Sequence, residues 1–158
     1  MLVIFAASNR NIYKMSKKTI ILLFMQLLLT LNVKAQTVPD SAFVGKIVND
    51  ELKIYLVMNF VEKNVTVPQQ EVFGEVDGYM GCKDTAHVWT IVSSEIKGRT
   101  AHIGMINNYG SEDITATVTL EKDGTYTYKH ISGSTLKFPV GQKWYKIPTK
   151  VSFKKAGK

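Results

Sequence analysis

The chain has 158 residues, a formal net charge of +7 and a single cysteine, Cys82. One cysteine excludes an intrachain disulfide framework, so packing and hydrogen bonding must hold the fold. The charge is uneven: Arg10, Lys14, Lys17, Lys18 and Lys34 precede residue 36 while all thirteen acids follow it, which leaves residues 36–158 at +2 and argues against nucleic acid as a partner, because that binding needs many cationic contacts to phosphate.

From Met15 the chain has a short basic head, Met15-Ser16-Lys17-Lys18, then an apolar run from Thr19 to Leu31. Small residues follow at Val33 and Ala35, three and one positions before a cut at Ala35–Gln36. This is the layout of a secretory signal peptide over residues 15–35. The run is shorter than the ~20 apolar residues that a helix needs to span a bilayer, so no stable membrane span is expected. No cysteine follows it, which closes the lipoprotein route. Residues 1–14 read as a start placed too early, with an extended basic head as the other reading. The expected destination is periplasmic or extracellular.

Residues 36–158 have the size of a single domain able to bury one core. Side chains there alternate with a period of two. Leu52, Ile54, Leu56, Met58 and Phe60 share one face of a stretch; Ile114, Ala116, Val118 and Leu120 alternate with Thr115, Thr117 and Thr119 in another. Such patterning specifies half-buried strands. In chain order the expected strands are Phe43–Val48, Leu52–Val61, Val72–Tyr79, His87–Ser93, Thr100–Ile106, Asp113–Leu120, Thr125–Ile131, Thr135–Phe138 and Lys150–Phe153. Glu71, Glu75 and Asp77 fall on one face of the third, which reads as its wet side. Asp123-Gly124 predicts a tight primed hairpin turn. Lys97-Gly98-Arg99, Asn107 to Ser111, Ser132-Gly133-Ser134 and Pro139-Val140-Gly141 mark further turns. Short links favour antiparallel neighbours. The expected fold is all-β, a single antiparallel up-and-down barrel of about eight strands, with a β-sandwich as the alternative.

Three segments, Phe43-Val44-Gly45-Lys46-Ile47, Leu52 to Phe60 and Phe73-Gly74-Glu75-Val76-Asp77-Gly78-Tyr79, together resemble small exported bacterial barrels of lipocalin-like or avidin-like type. The resemblance implies a barrel and, by analogy, a small ligand. It carries over no binding residue: Gly45-Lys46-Ile47 stands where lipocalins have Gly-x-Trp, and the polar biotin contacts of avidins do not map.

Chemistry-bearing motifs are sparse. His87, His102 and His130 lack metal-ligand spacing, and no Gly-x-Ser-x-Gly elbow occurs. Glu112 and Asp113 are adjacent, so on an extended chain they point to opposite faces. No catalytic residue, metal or cofactor is expected. Aromatic residues are the stronger pointer, because a flat ring with a polar edge can stack on a sugar or another planar ligand. Trp89, Tyr126, Tyr128 and Trp144 are the candidate ligand contacts; core packing is their ordinary role. The acid-free stretch Lys137 to Lys158 suggests an anionic surface held through Lys150, Lys154 and Lys155. The expected function is a non-enzymatic exported binding module for a small molecule or saccharide. The alternative is a secreted or envelope interaction protein with a filled core and no pocket. Cys82 is either a small buried hydrophobe or a link to another chain.

Overall fold

A computed structural model of the chain describes residues 38–157. The expected signal peptide and the residues before it lie outside the described residues. Among those described, no helix is long and apolar enough to cross a membrane.

Eight antiparallel strands close into a barrel: β1 (Val44–Asn49), β2 (Ile54–Asn59), β5 (Gly78–Cys82), β6 (Val88–Lys97), β7 (Thr100–Asn107), β8 (Asp113–Leu120), β9 (Tyr126–Gly133) and β12 (Lys150–Lys155). Each pairs with the next in that order, and β12 closes on β1 through Ile47 opposite Lys155 and Val48 opposite Lys154. This is the up-and-down barrel that the alternation predicts. Two small hairpins interrupt the meander: β3 (Val65–Thr66) with β4 (Glu75–Val76), and β10 (Lys137–Val140) with β11 (Lys143–Lys146).

Apolar residues from all eight strands point inward. Ile47, Ile54, Leu56, Met58, Met80, Trp89, Ile91, Ile103, Met105, Val118, Tyr128 and Phe153 are buried together in one cluster. Large branched and aromatic side chains thus occupy the interior, as befits a barrel of eight strands.

The two ends are closed differently. At one end a 3₁₀ turn, Asp40–Phe43, lays Phe43 across the barrel. The Phe43 ring stacks on Phe60 at 6.0 Å and meets Tyr126 edge-on at 6.3 Å. The Tyr126 hydroxyl donates to the Ala42 carbonyl at 2.6 Å. At the other end the β10–β11 hairpin covers the barrel, with Leu136, Phe138 and Ile147 buried beneath it.

Turn chemistry shapes the details. Gly98 at φ +60° begins the two-residue link between Lys97 and Thr100, as a type II′ turn requires. The β8–β9 hairpin differs from its predicted form. Lys122 adds a third loop residue, the Gly124 amide donates to the Glu121 carbonyl, and only Gly124 takes a positive φ, +86°. That is the three-residue hairpin with glycine in the left-handed position, rather than a two-residue primed turn. Asp123 Oδ1 secures it by accepting from the Thr125 amide and hydroxyl at 2.9 and 2.7 Å.

The predicted third strand, Val72–Tyr79, is broken. Glu71–Phe73 forms a 3₁₀ turn, and Gly74 turns the chain at φ 64° before β4 and β5. This excursion lies against the outside of the barrel. Val67, Val76 and Val88 form a second apolar cluster there, flanked by Phe73 and Tyr79. Asp77 is 5% exposed and not on a wet face. Its carboxylate meets Lys63 Nζ at 3.0 Å and accepts from Ser94 Oγ at 2.5 Å, which ties the excursion to β6.

Candidate functional site

Three loops converge at the hairpin-covered end: the β1–β2 turn, the β5–β6 loop and the β10–β11 hairpin. Between them lies a cleft of about 460 Å³. Leu52 and Lys53 line it from the first, Cys82 and Asp84 from the second, and Val140, Lys143, Trp144 and Tyr145 from the hairpin. The hairpin forms because Gly141 takes φ 59° and lets Val140 pair with Lys143 across two residues. Lys53 Nζ and Asp84 Oδ2 bridge the other two loops at 2.9 Å. That pair is well exposed, so it orients the loops more than it stabilises them.

Trp144 is the largest side chain lining the cleft. It is 55% exposed, unusual for the largest apolar side chain. Two neighbouring side chains hold its ring. The His87 ring meets it at 6.2 Å and 86°, and Lys137 Nζ lies 5.0 Å from its centroid. Lys137 is itself fixed by Glu112 at 2.7 Å. That bond, with lesser help from Asn107 and His87, lowers the Glu112 carboxyl below its ordinary range. Burial lowers His87, opposed by the Glu112 charge. Asn107 organises the β7–β8 loop behind this group. Its side-chain oxygen accepts from the amides of Tyr109 and Ser111 at 3.2 and 3.0 Å, and its amide donates to Glu112 Oε2 at 3.2 Å.

The four aromatic candidates do not gather at one place. Trp89 and Tyr128 are 0% exposed and Tyr126 is 3% exposed, all within the core; only Trp144 lines the cleft. Alternation put the other three on an inward face, and the inward face of this barrel is packed. Tyr145 and the Lys53–Asp84 bridge were not singled out by the sequence. Adjacency to Trp144 was the available pointer to Tyr145; nothing local marked the bridge. Cys82 is buried and unpaired at the edge of the cleft. Of the expected cationic set, Lys150 and Lys154 face outward from β12. Lys155 instead sits opposite inward-facing Ile47 at the barrel rim. Among the described residues, no three His, Cys, Asp or Glu side chains converge as a metal site would require.

Comparison with protein-family models, with curated proteins and with solved structures finds no match to this chain.

Proposed function

We propose that this chain is a non-enzymatic exported binding module, and that it takes a saccharide or another small flat molecule in the cleft against Trp144. One observation carries the reading: an indole ring left half in solvent, yet braced by His87 and Lys137, above a cleft large enough for a small ligand. A ring held in place beforehand loses little freedom when a sugar stacks on it. The polar groups at the rim, Lys53, Asp84 and Lys143, are of the kind that hydrogen-bond hydroxyls. The ligand belongs at the barrel mouth, because packed side chains occupy the interior.

That packed interior also favours a second reading, an interaction protein that engages another macromolecule through its surface. Fluorescence titration with a panel of mono- and disaccharides separates the two. Trp89 is shielded and Trp144 is not, so sugar binding should shift the Trp144 emission, and Trp144→Ala should abolish the response. Binding that survives Trp144→Ala, or no response to any sugar alongside capture of a host polypeptide, supports the second reading.

A further inference from the structure

The near-neutral charge of residues 36–158 conceals a segregated surface. Strands β9, β12, β1, β2 and β5 are consecutive neighbours around the barrel, and none carries an acid or an arginine. Lys129 and Lys150 sit directly opposite each other on β9 and β12. Lys154 lies opposite Val48, and Lys46 is on the next strand. All four lysines are exposed, and none lies within ion-pair distance of a carboxylate among the described residues. Asp50 and Glu51 share a surface depression with Ser152 and Lys154 at the margin, and Asp50 is engaged by Lys83 at 2.8 Å. Exposed Ser152 and half-buried Val48 and Val57 fill the space between the lysines. On the far side of the patch Lys46 Nζ stands 4.3 Å over the Tyr55 ring, and Tyr55 meets Tyr79 edge-on at 6.1 Å.

We infer that this face, independently of the Trp144 cleft, docks the protein on an anionic lipid surface. Charge sets the sign of the partner, and the kind of cation narrows it. Lysine ammonium groups are point charges on flexible stems; arginine forks would be the choice for fixed, bidentate recognition of phosphate or sulfate. A patch of lysines alone suits a fluid array of head groups, which rearranges to meet the charges. Lysines beside tyrosines on a gently curved sheet match the composition of the water–bilayer interface. Docked this way, the strands lie along the surface and the barrel ends, with the cleft, stay open to solvent.

Sedimentation of the full chain with phosphatidylglycerol-containing vesicles tests the inference, with pure phosphatidylcholine vesicles as the neutral reference. Two triple variants remove equal charge: Lys129→Gln/Lys150→Gln/Lys154→Gln on the face, and Lys97→Gln/Lys122→Gln/Lys146→Gln elsewhere. Each lysine at an anionic surface is worth about fivefold in binding, so the first triple should bind about a hundredfold more weakly. The second should stay within a few fold of the parent. Residues before the barrel are common to both and cancel. Equal loss in the two triples, or vesicle binding abolished by a soluble anionic polysaccharide that binds the face more tightly, would overturn it.

Discussion

The indole N–H of Trp89, on barrel strand β6, donates to the backbone carbonyl of Lys137, on the covering hairpin, at 3.0 Å. A core residue thereby fastens the element that carries Trp144, so stability and the binding surface are linked through one bond. Trp89→Phe keeps most of the packing but leaves that carbonyl without its donor, and should cost about 1–2 kcal/mol. Trp89→Ala also opens a cavity and should cost about 3–5 kcal/mol. Urea denaturation reads both. Amide exchange along β10 and β11 should quicken in Trp89→Phe more than exchange along β8.

The two core tyrosines should respond in opposite ways. Tyr126 donates to Ala42, so Tyr126→Phe should cost about 1 kcal/mol. The Tyr128 hydroxyl is buried with no partner among the described residues. Tyr128→Phe should therefore be neutral or stabilising by up to about 1 kcal/mol. Thermal melts of the two variants check the contrast.

Burial also raises the Tyr128 phenol well above the ordinary tyrosine value of 10.0, and raises Tyr126, Tyr55 and Tyr79 in the same direction. The folded state holds these protons more tightly than the unfolded chain does. Their contribution is complete below pH 10 and is lost as pH rises from there toward the folded values. Unfolding free energy should fall above about pH 10, and less steeply in Tyr128→Phe than in the parent. A parallel fall in the two proteins would contradict this.

His87 runs the other way. Burial favours its neutral form, so the unfolded chain binds the proton first as pH falls. Its contribution to stability is present above 6.5 and declines as pH drops below that value. The His87 ring sits against Trp144, so Trp144 emission should titrate with a midpoint below 6.5. The transition should vanish in His87→Gln.

Lys63→Met should strand the Asp77 carboxylate in a site that is 5% exposed. Ser94 still donates to it, and Lys63 itself is half in solvent, so the loss should be about 1–2 kcal/mol rather than the full cost of breaking a buried pair. Adding Asp77→Asn should recover part of that stability, measured by denaturant midpoint.

Strands with one wet and one packed face were legible. Strand β8 runs Asp113–Leu120 as its alternation predicts, because threonines face out and Ile114, Ala116 and Val118 face the core. Strand β11 was not legible, because all four residues of Lys143–Lys146 are exposed and no alternation marks them. The third strand misled, because Val72 and Val76 keep the period while Glu71–Phe73 forms a 3₁₀ turn and Gly74 bends the chain between them. Alternation also could not separate a packed barrel from a hollow one, and so Trp89, Tyr126 and Tyr128 looked as eligible as Trp144. The cleft joins residues about ninety positions apart, Leu52 to Trp144. Their meeting depends on barrel closure and on how the hairpin folds back, which no local pattern records.

Native mass spectrometry of the protein purified from its own host tests the central claim, that a small molecule is held against Trp144, most directly. The predicted spectrum shows an adduct of small mass on the parent chain, absent from an equally stable Trp144→Ala variant. An adduct retained by Trp144→Ala, a co-purifying polypeptide in place of a small molecule, or the bare mass of the parent chain would contradict it.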